Sequence, residues 1–311
     1  MNRFFSQSFV TVEHLTGEDV TLVFRKAEEM RTLCEEKGGD DRLKHKILAA
    51  LFYEPSTRTF SSFISAMQRL GGGVIPLNGM SHTSVIKGET LEDTVRVFSS
   101  YADILVMRHP DPGSIANAVE YAAKPIINAG DGIGEHPTQA LIDAYTIENV
   151  FGKIDGLHIL LIGDLAHYRP TNSLSKLLAL YPNVKISMST PKQVPMQEEV
   201  TSYLKKKKVS FKEYSDFQDI LPEVDVLYVT RVKKEYMSES LYKQVKGSYI
   251  VDKTMVRQMK KKSIILHCLP RVDEIHADVD SDPRSLYLTT QVRNGLYVRM
   301  ALLDLILRKA S

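Results

Sequence analysis

Four arginines occupy a position that scattered surface arginines have no reason to share. Arg58, Arg108, Arg169 and Arg231 each come shortly after an apolar run rich in Ile, Leu and Val. A guanidinium presents a planar fork that matches carboxylate and phosphate oxygens two at a time. Any one of them alone reads more readily as an ion-paired surface residue. Four at equivalent points ask for ligands that carry several negative charges. The demand is sharpest in Phe52-Tyr-Glu-Pro-Ser-Thr-Arg-Thr59. There an apolar run stops at Pro55, and Ser56, Thr57, Arg58 and Thr59 precede a helical pattern that begins at Phe60. The first N–H groups of a helix lack partners and carry the positive end of its dipole. A phosphate placed there collects N–H, hydroxyl and guanidinium donors together. Capping by Ser56 needs one hydroxyl and leaves Thr57, Arg58 and Thr59 unexplained.

A second cluster lies in Gly130-Asp-Gly-Ile-Gly-Glu-His-Pro-Thr-Gln139. A histidine in that turn, His136, can hydrogen-bond a carbonyl oxygen and stabilise charge as it develops. Gln139, one turn on, can hold an amide. A capping or packing role for His136 stands as an equal alternative. No GxxxxGK[ST] occurs, and the glycines fail the dinucleotide pattern, so neither an NTP nor a dinucleotide site is expected. No Ser-His-Asp arrangement or metal-ligand spacing stands out. The lysine runs 205–208 and 260–262 read as solvated faces.

The elements that must position these groups follow from the apolar pattern. Strands are expected over 46–52, 74–76, 104–107, 125–128, 157–163, 184–189, 224–230 and 263–267. Their lack of polar alternation suits strands buried on both faces of a parallel sheet. Between them run helical patterns: Phe60, Phe63, Met67 and Leu70 in one, Leu296, Met300, Leu303 and Leu307 in the last. The alternation predicts an α/β fold with helices covering the sheets. Two such sets appear, joined by a helix over 137–150 that tolerates Pro137 in its first turn. The expected domains are residues 1–137, completed by a C-terminal helix over 291–311, and residues 138–290. Ligands of open α/β sheets bind beyond the carboxyl ends of strands, which is where the arginines fall.

The bulk numbers exclude several classes. A net charge of +2 over 311 residues calls for no nucleic acid. No apolar run is long enough to span a membrane, and MNRFFSQSFV does not make a secretory signal. Cys34 and Cys268 stand far apart, without disulfide or metal spacing, which points to a reducing compartment and hence the cytosol.

Six blocks, in order, carry a resemblance. "FYEPSTRT", "MRHP", "NAGDGIGEHPTQALIDAYTI", the Gly163-Asp-Leu stretch with Arg169, the Thr230-Arg-Val stretch with Lys234-Glu235, and "HCLPRVDEI" are similar to the aspartate carbamoyltransferase catalytic chain, in its eukaryotic-like branch. The likeness runs from about Lys44 to Leu307. It implies a two-domain fold of the aspartate/ornithine carbamoyltransferase type. It implies transfer of the carbamoyl group from carbamoyl phosphate to L-aspartate in pyrimidine biosynthesis, without metal or cofactor. It also assigns roles. Ser56, Thr57, Arg58 and Thr59 would hold the phosphate. Arg108, His136 and Thr59 would polarise the carbamoyl oxygen, and Gln139 would grip the amide. The carbonyls of Leu269 and Pro270 would contact the carbamoyl NH2 and the attacking amine. Arg169 would take the α-carboxylate of aspartate, and Arg231, with Lys233 nearby, the β-carboxylate. Ser84 and Lys87 would reach in from a neighbouring subunit, with Lys87 near the aspartate. The resemblance thus implies a homotrimer with shared sites, and it allows the chain to be one part of a larger pyrimidine-synthesis polypeptide.

The chain departs from the family pattern mainly on the aspartate side. After Gly163-Asp-Leu the family usually has Lys-x-Gly-Arg-Thr-Val-His, where this chain has Ala166-His-Tyr-Arg-Pro-Thr-Asn172. Pro170 disfavours helical geometry at Arg169. Lys233 replaces a usual Gln, and Cys268 replaces a Pro in the manner of ornithine carbamoyltransferases. Two alternatives therefore accompany the main expectation: a carbamoyltransferase for another amino acid, and a non-catalytic paralogue that binds carbamoyl phosphate. Arg231 and Lys233 would repel the cationic side chain of ornithine.

Overall fold

The computed structural model describes residues 2–81 and 83–309. The chain divides into two compact units. One takes the chain up to Ile142 and again from Arg293; the other is Asp143–Val292.

The first unit carries α1 (Gly17–Glu36), β1 (Ile47–Phe52), α2 (Arg58–Arg69), β2 (Gly73–Asn78), α3 (Leu91–Tyr101), β3 (Ile104–His109), α4 (Ser114–Tyr121) and β4 (Ile126–Asp131). Its four strands are all parallel, in the order β2-β1-β3-β4. The inner strands β1 and β3 are apolar on both faces, and Leu48 to Phe52 are fully buried. That pattern is what helices on both sides of a parallel sheet require. On one side Ala49, Leu51, Leu105 and Met107 pack with Val95 of α3 and with Ile115 and Ala118 of α4. In α2 the buried positions Thr59, Phe63, Ala66 and Met67 fall on one stripe of the helix. This leaves the amino end of α2 just beyond the carboxyl end of β1.

Helix α5 (Pro137–Phe151) leads into the second unit. There follow β5 (His158–Ile162), α6 (Arg169–Leu178), β6 (Lys185–Ser189), α7 (Glu198–Lys206), β7 (Ser210–Tyr214), β8 (Val226–Val229), α8 (Glu239–Val245), α9 (Lys253–Val256) and β9 (Ile264–Leu266). The sheet is parallel, in the order β7-β6-β5-β8-β9. Its core joins Leu160, Ile162, Leu227, Val229 and Ile265 to Leu221, Val256 and Tyr287. The last helix, α10 (Thr290–Leu307), returns the chain to the first unit.

Two expectations need correction. The apolar runs predict eight strands, and the described residues contain nine. The extra strand, β7, reads Ser-Phe-Lys-Glu-Tyr and lies at a sheet edge with exposed positions, so no apolar run marks it. The structure also begins α6 at Arg169 despite Pro170. Proline in a first helical turn gives up no intrahelical hydrogen bond, because that N–H has no partner there in any case.

Candidate active site

In the first unit the groups collect beyond β1, β3 and β4. Thr57 caps α2 with helical backbone angles and makes no side-chain capping bond, and the first turn holds no acidic residue. Simple capping by Ser56 is therefore not what the hydroxyls do. The helix end keeps its positive character, with Ser56 half-buried, Thr57 and Arg58 exposed and Thr59 buried. Asn78, the last residue of β2, fixes this segment. The Ser56 N–H donates to Asn78 Oδ1 at 3.0 Å, and Asn78 Nδ2 donates to Ser56 O at 3.2 Å. The sequence reading did not single out Asn78, although its place after an apolar run was a usable signal.

Arg108 stands beside Phe52 in the β1–β3 register. It also falls where the β3–β4 pairing shifts, between Met107↔Asn128 and His109↔Asp131. Such irregularities re-aim side chains. Arg108 Nε donates to Glu54 Oε2 at 3.1 Å, and its guanidinium lies 3.5 Å from Ser56 Oγ. Strand end and helix start are thus tied to one cation.

The turn after β4 is tightly built. Gly132 has φ +50°, and a Cβ there would come within 2.6 Å of Pro110 O, so only glycine fits against the turn after β3. Its N–H donates to His109 O at 2.9 Å. Glu135 accepts from Thr11 Oγ1 at 2.7 Å and from the Val12 N–H at 3.2 Å, which anchors the turn to the amino-terminal segment. His136, 5% exposed, follows directly; its carbonyl accepts from the Gln139 and Ala140 N–H groups. Thr138 Oγ1 lies 3.4 Å from His136 Nδ1. These bonds place His136 directly before α5 and Gln139 in its first turn. Ser84 and Lys87 belong to a short exposed 3-10 turn, Ser84–Lys87, closed by Gly88. Among the described residues no carboxylate lies within ion-pair distance of Lys87.

In the second unit the groups follow β5, β8 and β9. Gly163 has φ +108°, and a Cβ would sit 2.4 Å from Thr230 O, so the turns after β5 and β8 touch backbone to backbone. Asp164, fully buried, holds both turns. It accepts from the His167 N–H at 3.1 Å and from the Lys233 N–H at 3.1 Å, and His167 Nδ1 lies 3.0 Å away. Arg169 is 3% exposed at the start of α6, and Lys233 is 8% exposed. Lys233 Nζ lies 4.5 Å from the Tyr236 ring centre and 5.9 Å from that of Tyr168. Burial, and after it the charge of Arg169, bring the Lys233 ammonium down to about 8. Arg231 forms a two-point ion pair with Glu235. Burial would raise the Glu235 carboxyl, but the Arg231 hydrogen bonds outweigh it and leave it below the ordinary value.

Tyr168 is buried. Its hydroxyl meets Cys268 Sγ at 3.0 Å. Burial first, and then Cys268, hold that hydroxyl well above its ordinary range, so it stays neutral. His267 organises the turn that carries Leu269 and Pro270. Its Nδ1 accepts from the Leu269 N–H at 2.8 Å, which leaves Nε2 to donate to Glu274 Oε1 at 2.8 Å. Glu274 also accepts from the Val272 and Asp273 N–H groups. Leu269 itself has φ +57°, a strained angle for a branched residue. The structure thus assembles Ser56–Thr59, Arg108 and His136 around one set of strand ends. It assembles Arg169, Arg231, Lys233 and the Leu269–Pro270 turn around another. Asp164, Tyr168, His267 and Glu274 are supporting residues to which the sequence reading gave no role.

Comparison with known proteins agrees with this division. Residues 7–149 match the carbamoyl-P binding domain of aspartate/ornithine carbamoyltransferases, and residues 155–306 match their Asp/Orn binding domain. The chain is 48% identical over 293 residues to the chloroplastic aspartate carbamoyltransferase of Arabidopsis thaliana, covering 93% of this chain and 75% of that one. It is 48% identical over 297 residues to multifunctional protein pyr1-3 of Dictyostelium discoideum, covering 95% of this chain but 13% of that polypeptide. Among solved structures, aspartate transcarbamoylase from Trypanosoma cruzi with carbamoyl aspartate and phosphate superposes with a TM-score of 0.93. The two are 37% identical, with 99% of this chain and 98% of that chain covered.

Proposed function

The chain belongs to the aspartate/ornithine carbamoyltransferase family, and on that premise we propose that it transfers the carbamoyl group of carbamoyl phosphate to the amino group of L-aspartate. The products are N-carbamoyl-L-aspartate and phosphate, in pyrimidine biosynthesis. The observation that carries this reading is the charge on the second unit. Arg169, Arg231 and Lys233 set three cations after neighbouring strands, which suits an acceptor with two carboxylates and opposes one with a cationic side chain. The engagement of Cys268 by the Tyr168 hydroxyl also leaves that thiol occupied within its own unit.

The chemistry assigned to each group follows from its surroundings. The uncapped start of α2, with Ser56, Thr57, Arg58 and Thr59, holds the phosphate. As the amine nitrogen bonds to the carbamoyl carbon, the C–O bond to phosphate breaks, its electron pair goes to the phosphate, and the proton shed by the amine leaves with that phosphate. Arg58 therefore matters most as that charge develops. Arg108, Thr59 and His136 polarise the carbamoyl oxygen, and Gln139 holds the amide. The carbonyls of Leu269 and Pro270 accept from the carbamoyl NH2 and the incoming amine. Fixing both substrates supplies much of the rate, an effect worth up to ~7–11 kcal/mol in favourable cases. No protein nucleophile is required.

We assign donor binding to residues 1–137, completed by 291–311, and acceptor binding to 138–290. The active unit is a homotrimer in which Ser84 and Lys87 of one copy complete the site of the next. An exposed turn whose lysine lacks a carboxylate supports this arrangement. The chain also suits a place within a larger polypeptide, as in the Dictyostelium relative. No helix among the described residues is long and apolar enough to cross a membrane, and neither cysteine forms a disulfide. The cytosol is our placement.

The test is an acceptor panel. With labelled carbamoyl phosphate and L-aspartate, L-ornithine and other amino acids, product is expected from L-aspartate. Product from ornithine alone would assign the chain to another carbamoyltransferase. Binding of carbamoyl phosphate without product from any acceptor would make it a non-catalytic paralogue.

A further inference from the structure

The ammonium of Lys233 is carried on a buried residue, 8% exposed, and among the described residues no carboxylate lies within ion-pair distance of it. Its nearest compensation is two aromatic faces, Tyr236 at 4.5 Å and Tyr168 at 5.9 Å. Such faces attract a cation but do not replace the water and counter-charge that burial removes. The backbone at the root of that side chain is fixed, because the Lys233 N–H is bound to buried Asp164. Four groups act on it most strongly. Arg169 and Arg231 repel it; Glu235 and Cys268 favour it, but Glu235 is committed to Arg231. Asp164 lies on its backbone side and is occupied by His167 as well. Tyr168, pushed up by burial, carries no charge.

We propose that Lys233 reads the second carboxylate of the acceptor and takes up a proton as that carboxylate binds. This rests on the reading of the second unit as the acceptor half. An arriving dicarboxylate supplies the counter-charge that the fold withholds. An acceptor with a neutral or cationic side chain leaves the ammonium buried and unmatched, so the same group selects against it. The neutral amide that usually occupies this position in the family has no charge to gain. Lys233 lies at about 8 before binding, held down by burial and then by Arg169. A bound carboxylate raises it, so binding weakens as pH climbs through that value.

Succinate is a suitable probe, being a dicarboxylate with no amine of its own to titrate. Calorimetry at pH 8.5 with inorganic phosphate present, in two buffers of different ionisation heat, counts the protons taken up. The wild-type protein is expected to take up more than half a proton, and its succinate Kd to rise about tenfold from pH 7 to pH 9, as one-proton linkage requires. Lys233→Gln and Lys233→Met are expected to take up none and to show a flat Kd over that range. Absence of proton uptake by the wild type, a measurement that needs no variant, overturns the proposal. So does an unchanged pH profile in either variant. Aspartate turnover without proton uptake sinks this inference alone, whereas turnover of a monocarboxylic acceptor in place of aspartate sinks the acceptor reading with it.

Discussion

Arg58 lies exposed at the start of α2, backed by an uncapped helix end and flanked by hydroxyls. Arg169 and Lys233 lie at 3% and 8% exposure, and Lys233 sits near Tyr168, Cys268 and the buried Asp164. The two units thus hold their cations in opposite ways, and the difference matches what each is proposed to do. A phosphate that arrives as part of one substrate and departs as a product needs many moderate donors and an open route out. An acceptor that must be told from other amino acids needs groups already stripped of water. Such groups are costly to leave unmatched, and that cost is the source of discrimination.

The contrast makes Arg58→Ala the largest effect. Turnover should fall roughly 10²–10³-fold, the usual loss for one transition-state donor, while stability changes by no more than about 0.5 kcal/mol, as for an exposed position. Steady-state kinetics beside a denaturation curve check both halves of that statement. A large loss of stability would mean that Arg58 serves the fold and not the phosphate. Arg169→Ala should act the other way. We expect it to weaken acceptor binding by about 2 kcal/mol or more, roughly thirtyfold, and to lower the melting temperature because the side chain is buried. Carbamoyl phosphate affinity should stay near the wild-type value, and an equal loss for both substrates would erase the distinction between the halves.

Smaller effects sharpen the comparison. Asn78→Ala removes the two hydrogen bonds that pin Ser56. It should cost about 1 kcal/mol in donor binding, about fivefold in KM for carbamoyl phosphate, with KM for aspartate unmoved. Glu274 gives the smallest effect and concerns acid stability. Burial would raise its carboxyl, but the His267 hydrogen bond and the backbone N–H bonds to it prevail and hold it below the ordinary 4.5. A depressed carboxyl contributes stability that is present above about pH 4.5 and is lost as pH falls through its folded value. Denaturant unfolding between pH 3 and 7 should therefore show a steeper acid loss for the wild type than for Glu274→Gln.

The donor half was far more legible in the sequence than the acceptor half, for a physical reason. Ser56–Thr59 and Gly130–Gln139 are contiguous segments, and the rule that ligands bind after parallel strands finds them from apolar runs alone. Arg169 and Arg231 obey the same rule. What the rule cannot reach is contact between segments distant in the chain. The Tyr168–Cys268 contact joins residues a hundred positions apart, and Asp164 binds Lys233 across 69. Neither pairing leaves a local trace. Strand β7 was missed because an edge strand with polar residues lacks the apolar run that marks a buried one. Asn78 was overlooked because its role is to hold backbone, and a polar residue ending a strand resembles ordinary turn chemistry.

The most direct test of carbamoyl transfer follows a single oxygen atom. Carbamoyl phosphate carrying ¹⁸O in the bridge between carbon and phosphorus is turned over with L-aspartate, and both products are read by mass spectrometry. We predict N-carbamoyl-L-aspartate free of the bridge label and inorganic phosphate that carries it, because the C–O bond breaks while Arg58 and the start of α2 hold the leaving phosphate. Bridge label retained on the carbon fragment, with phosphate unlabelled, would mean that the P–O bond breaks and would contradict the assignment.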